Sequence, residues 1–294
     1  MRVAANGIEI EVDDRGPADA EPLVLIMGLG MQLVAWPDEL VDDLLRRGFR
    51  VIRFDNRDAG LSSGFDRLGM PNFAWAMLRH AMHLPVPAPY RLADMAADTM
   101  GLIDALGLGP VHLCGASMGG MIAQHLAAGH PDRVRSLTLL MTTSGARRLP
   151  QAAPRVRRAL LGRPDASDPE AVVRHLQRVL ATIGSPAYPP DPDRLRERLQ
   201  ATVRRAWRPA GTMRQLLAVV ADGDRTPLLR RIRAPTRVIH GEDDPLVPVA
   251  AGRDLVDQIS GAEGDFIPGM GHDLPLPLLP RLADGIAHNA RRVR

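Results

Sequence analysis

Val111-His112-Leu113-Cys114-Gly115-Ala116-Ser117-Met118-Gly119-Gly120 is the stretch that decides how this chain reads. Val111–Cys114 is a short apolar run of the kind that forms a buried strand, and Met118–Ala128 carries helical spacing closed by Gly129 and Pro131. A sharp turn from strand into helix is strained and brings neighbouring backbone close, so the flanking positions must be small. Gly115, Ala116, Gly119 and Gly120 meet that demand. The hydroxyl of Ser117 would then stand above the sheet edge, at a helix N-terminus whose dipole favours a developing oxyanion. A bare G-x-S-x-G also occurs in ordinary glycine-rich turns. Its place between strand and helix makes Ser117 the candidate nucleophile.

Working outward, Leu23–Met27, Phe49–Phe54, Leu137–Met141 and Arg237–His240 read as further buried strands, with Asp265–Ile267 as a sixth. Helical spacing is expected over Leu92–Leu106, Ala250–Ile259 and Leu276–Asn289. Continuous apolar strands alternating with helices predict an α/β fold, a mostly parallel sheet covered by helices on both faces. The rhythm breaks between about residues 146 and 228, which are arginine-rich and helical with Pro and Gly interruptions. We read 146–228 as a helical cap inserted into a core formed by 1–145 and 229–294. A second insertion, Phe65–Pro89, carries Met, Trp, Phe and several prolines. It is expected either to line a pocket mouth or simply to pack.

A serine hydroxyl needs a base at neutral pH. Of nine histidines, His272 is the best placed, in the glycine-rich loop Pro268-Gly269-Met270-Gly271-His272-Asp273 after the last strand. His112 and His240 lie in strands and are expected to be packed, and His125 and His130 lie on or after the helix behind the serine. The base needs an acid to hold its tautomer and stabilise its protonated form. Glu242, Asp243 and Asp244 all qualify by type, in an acidic turn after a strand; Asp244 is our choice and Asp243 the runner-up. The oxyanion hole needs two converging N–H groups. Met118 would give one, and Leu29, in the turn Gly28-Leu29-Gly30 after the first buried strand, the other.

With these pieces in place the chain resembles the α/β-hydrolase superfamily. The resemblance covers nearly everything outside the cap and is carried by Ile26-Met27-Gly28-Leu29-Gly30, Phe54-Asp55-Asn56-Arg57-Asp58-Ala59-Gly60-Leu61-Ser62, Gly115–Gly120, Gly241–Asp244 and Gly269–His272. Within the superfamily, Ala35–Leu40 and Ile267–His272 look most like methylesterases of the aclacinomycin type. The resemblance implies an α/β-hydrolase fold, favours Asp244 over Asp243, and agrees with the chain order Ser117, Asp244, His272. A histidine usual before the oxyanion glycine is replaced by Met27, with no loss of catalysis expected. A serine nucleophile argues against dehalogenase and epoxide hydrolase chemistry, which use a carboxylate in this fold. Asp55 and Arg57 are expected to brace loops.

The expectation is therefore a serine esterase working through an acyl-enzyme. Acyl transfer, perhydrolysis or C–C bond hydrolysis by the same residues stay open, and a non-catalytic ligand-binding protein is a further alternative. Composition agrees with a globular chain: 294 residues, 45% hydrophobic and 24% charged. All 37 basic residues are arginine, and Ala146–Pro235 holds 19 of them against 8 acidic residues. That excess either steers anionic substrates or lipid surfaces or only solvates helix faces. Aromatics at 3%, with no nucleic-acid motif, exclude a nucleic-acid protein. No cofactor, metal or integral membrane segment is expected. The partner is a small-molecule ester, a homodimer stays open, and the single Cys114 with no signal-like N-terminus points to the cytoplasm.

Overall fold

Leu23 and Leu25 point to one side of the sheet and Val24 and Ile26 to the other, and this alternation, repeated along each central strand, builds two separate hydrophobic layers. The computed structural model describes residues 1–160, 162, 164–165 and 167–293. Its strands are β1 (Arg2–Ala5), β2 (Ile8–Arg15), β3 (Glu21–Ile26), β4 (Phe49–Phe54), β5 (Val111–Ala116), β6 (Val134–Leu140), β7 (Thr236–Gly241) and β8 (Glu263–Ile267). They form one eight-stranded sheet in the order β1-β2-β4-β3-β5-β6-β7-β8. Pairing is parallel from β4 through β8, and antiparallel where β2 joins β1 and β4. This is an α/β-hydrolase fold.

Helices α1 (Asp38–Arg46) and α11 (Leu279–Arg291) cover one face through Leu40, Leu44, Leu282 and Ile286. The other face is covered by α3 (Leu92–Ala105), α4 (Met118–Gly129) and α10 (Ala250–Gln258) through Met95, Ile103, Ile122 and Leu255. Between β4 and β5 the chain also forms α2 (Phe73–Ala81). Between β6 and β7 it forms α5 (Pro154–Leu160), α6 (Pro169–Ile183), α7 (Pro192–Arg205), α8 (Pro209–Asp222) and α9 (Thr226–Leu229). No helix among the described residues is long and apolar enough to cross a membrane.

The β1–β2 hairpin and helix α1 fall outside the sequence-based expectation. The β1–β2 hairpin was legible: Asn6-Gly7 is a two-residue turn with φ of 48° and 75°, between apolar residues that alternate from Val3 to Val12. Helix α1 likewise has its apolar residues at helical spacing, with Asp38 and Glu39 in its first turn. The terminal segment begins as a 3-10 turn over Leu276–Leu278 before α11, because Pro280 at the start of α11 favours a helix beginning there.

The arginines of the 146–228 segment are in part consumed by pairing. Arg214 forms a fully buried, two-pronged ion pair with Asp58 at 2.8 Å on both arms. Arg205 reaches Asp55 at 2.7 Å, and Arg225 reaches Asp222 at 2.6 Å. Asp55 and Asp58 sit in the loop after β4, so α7 and α8 are fastened to the sheet by charge as well as by packing.

Candidate active site

The sheet reverses direction of growth at β3: β4 lies on one side of it and β5 on the other. Such a switch point leaves a crevice beyond the carboxyl ends of the two strands. The register Ile26↔Gly115 carries the Gly28 turn and Ser117 out of the sheet side by side. A Cβ on Gly28 would lie 3.2 Å from the Cβ of Ser117.

Ser117 has φ 54° and ψ −119°, a left-handed conformation that costs a non-glycine residue free energy. The surroundings enforce it. A Cβ on Gly119 would lie 2.0 Å from the carbonyl oxygen of Ile26, and one on Gly115 would lie 2.4 Å from that of Gly119. The turn therefore folds only with hydrogen at these positions, which is why the sequence shows glycine there.

His272 Nε2 lies 3.0 Å from Ser117 Oγ, and His272 Nδ1 lies 2.7 Å from Asp244 Oδ2. The other carboxylate oxygen of Asp244 accepts the N–H groups of Leu246 at 2.9 Å and Val247 at 2.8 Å. Burial works to raise the Asp244 carboxyl, but the His272 charge, His240 and the Val247 amide outweigh it and hold the group at about 2. Asp243 points elsewhere. Its carboxylate accepts the N–H of Gly269 at 2.8 Å and so supports the base loop from outside. Glu242 is exposed and faces Arg253 at 3.5 Å.

The imidazole loop is also held by the C-terminal end of α6 and the residues just after it. The N–H of His272 donates to the carbonyl of Ile183 at 2.7 Å, and that of Gly271 to Ser185 Oγ at 2.9 Å. Ser185 Oγ in turn donates to Asp273, beside His272. A Cβ on Gly271 would lie 2.4 Å from the Gly184 carbonyl oxygen, so the two segments are in backbone contact. Burial pushes the Asp273 carboxyl above the usual carboxylate range, against the pull of the Ser185 hydroxyl.

Met118 follows Ser117 and opens α4, and Leu29 follows Gly28, the position that borders Ser117, in a turn braced from three sides. Asn56 Nδ2 donates to the Met27 carbonyl at 2.9 Å, Gly30 N–H donates to Gln215 at 2.7 Å, and Leu33 N–H donates to Asp55 at 2.7 Å. Asp55 and Asn56 thus fix the turn, and Arg57 anchors their loop to α3 through Asp98 at 2.7 Å.

The remaining histidines with resolved partners are packed or paired away from Ser117. His112 meets Ser136 at 2.8 Å, His125 meets Asp222 at 2.8 Å, and His288 meets Glu263 at 3.1 Å. His240 is the one whose part sequence reading missed. Its Nε2 donates to the Val247 carbonyl at 2.7 Å and stands 3.5 Å from Asp244, fixing the turn that carries the acid. Its position at the end of β7, four residues before Asp244, was the available signal.

Comparison with known proteins agrees with this fold. The chain is 30% identical over 297 residues to rhodomycin D methylesterase DauP of Streptomyces sp. (strain C5), covering 94% of this chain and 92% of that one. It is 27% identical to 3-oxoadipate enol-lactonase 2 of Acinetobacter baylyi (strain ATCC 33305 / BD413 / ADP1), covering 87% and 84%. The crystal structure of the enol-lactonase from Burkholderia xenovorans LB400 shares the fold, with a TM-score of 0.73 and 22% identity over 99% of this chain and 100% of that one. The family described as alpha/beta hydrolase fold matches residues 21–276. By that match over most of its length, the chain belongs to the alpha/beta hydrolase fold family.

Proposed function

We propose that this protein is a serine hydrolase that cleaves a carboxylic ester through an acyl-enzyme. The observation that carries the reading is the chain of contacts from Ser117 Oγ through His272 to Asp244, at 3.0 and 2.7 Å, on a strained turn at the sheet's switch point. Ser117 Oγ attacks the ester carbonyl while His272 Nε2 takes its proton. The carbonyl electrons move onto oxygen, where the N–H groups of Leu29 and Met118 receive the oxyanion. The tetrahedral adduct collapses, the C–O bond to the alcohol breaks, and His272 returns the proton to the leaving alkoxide. Water then attacks the acyl-enzyme, gives a proton to His272, and releases the acid with Ser117 restored. Asp244 keeps the imidazole oriented and stabilises its charged form.

In this reading residues 146–228 form a cap over the core made by 1–145 and 229–294, and the cap selects the substrate. Relatives named methylesterases make a methyl ester the first natural class to try. One buried cysteine, whose thiol burial pushes upward and so keeps unreactive, supports a cytoplasmic location.

Hydrolysis of p-nitrophenyl acetate, butyrate and octanoate by the wild type and by Ser117→Ala tests the reading. Turnover by the wild type and loss in the variant are expected, with a fluorophosphonate label landing on Ser117. Retained turnover in Ser117→Ala would overturn the assignment.

A further inference from the structure

Among the described residues nine large apolar side chains are exposed, and six of them fall in one short stretch: Leu68, Met70, Trp75, Leu78, Met82 and Leu84. Trp75, Leu78 and Met82 follow one another at helical spacing on α2 and its C-cap, and are 51%, 50% and 59% exposed. Ala76 is buried, so α2 has an anchored side and an apolar side facing solvent. Soluble proteins seldom leave such a cluster uncovered without using it.

The charge of the same stretch says what covers it. Between residues 65 and 91 stand Arg67, Arg79, Arg91, His80 and His83, against one acidic residue, Asp66. Asp66 is already engaged by Arg214 at 3.0 Å. Arg79 lies over the Trp75 ring at 5.8 Å and donates to the Pro85 carbonyl at 2.7 Å, holding its cation beside the apolar face. A two-fold pairing with a second copy would set these cations against themselves, since such an interface joins the same patch on both copies. An anionic bilayer offers acyl chains to the Trp, Leu and Met and phosphate to the arginines.

We propose that the face formed by residues 67–91 docks this protein peripherally on anionic lipid surfaces. The site does not depend on the catalytic reading, and lies outside the residues that carry it. The three tryptophans make it directly measurable. Trp36 is fully buried and Trp207 is partly buried with its indole N–H enclosed, so Trp75 is the one that a lipid surface would newly cover.

The test is co-sedimentation of the full chain with phosphatidylglycerol–phosphatidylcholine vesicles and with phosphatidylcholine alone, alongside tryptophan emission. Expected are binding to the anionic vesicles with a blue shift, and at least about tenfold weaker binding to neutral vesicles or in high salt. Trp75→Ser/Leu78→Ser/Met82→Ser and Arg67→Gln/Arg79→Gln/Arg91→Gln should each weaken binding by at least about tenfold while melting like the wild type. No binding by the folded wild type would overturn the proposal. So would binding that both variants retain, which would assign it to another basic surface. A concentration-dependent dimer that the apolar variant abolishes, with no vesicle binding, would assign the face to a second copy instead.

Discussion

The amide of His272 donates to the carbonyl of Ile183 at 2.7 Å, so the loop carrying the imidazole is fixed by the C-terminal end of α6 as well as by the sheet. Ser185 strengthens this contact by accepting from Gly271 and donating to Asp273. Removing its hydroxyl loosens the base without touching the serine, and a misplacement of the order of an ångström costs up to about 100-fold in rate. Ser185→Ala should lower kcat about 10-fold with little change in KM. Ser185→Thr, which keeps the oxygen, should recover most of it. Steady-state kinetics on a p-nitrophenyl ester checks both.

The backbone of Ser117, at φ 54°, suits glycine better than any side chain. Ser117→Gly should abolish turnover by about 10⁴-fold or more. It should also stabilise the fold by about 1 kcal/mol, through relief of strain. Thermal melts compared with Ser117→Ala, which keeps the Cβ, separate strain from loss of the hydroxyl.

Gly119→Ala places a methyl 2.0 Å from the Ile26 carbonyl oxygen, a contact that backbone must move to relieve. The expected cost is about 3 kcal/mol or more, with the oxyanion turn displaced. Denaturant unfolding should show the loss. Gly109→Ala, which meets nothing within 4 Å, serves as the control.

Asp244 titrates at about 2 in the fold, below its ordinary 3.8. A depressed carboxyl contributes stability that is complete above its unfolded value and is lost as pH falls through the folded one. Wild type should therefore lose stability between about pH 4 and pH 2 by more than Asp244→Asn does. The variant should also lose about 10⁴-fold in kcat, because its amide lets the imidazole take the wrong tautomer. Melts across that pH range and kinetics at neutral pH read the two effects.

Arg214→Met should destabilise by about 3–5 kcal/mol, because it strands the Asp58 carboxylate in the interior. Asp58 then keeps the Tyr90 hydroxyl and the Phe65 amide as partners, but no cation. Asp58→Asn/Arg214→Met should recover much of the loss. A double-mutant cycle on chemical denaturation decides.

The sheet and the Ser117 turn were legible because local patterns make them: an apolar run, a glycine cluster, a helix start. His272 and the Asp243/Asp244 choice were legible by loop position and family pattern. The contacts that hold them were not. Arg214 and Asp58 are 156 residues apart, and the Ser185 link to Gly271 spans 86. Nothing periodic marks either end of such a pair. The Asn6-Gly7 hairpin shows the opposite case, a local signal present and unread.

The contact from His272 to Ile183 ends on a main-chain oxygen, and this shapes how the family member can change. Side-chain drift at position 183 leaves that oxygen in place. A single-residue deletion or insertion in the last turn of α6 does not, since it moves the helix end and turns a different carbonyl toward His272. Grafting this helical segment from one relative into another should then tolerate wide divergence in residue identity but little in the length of α6.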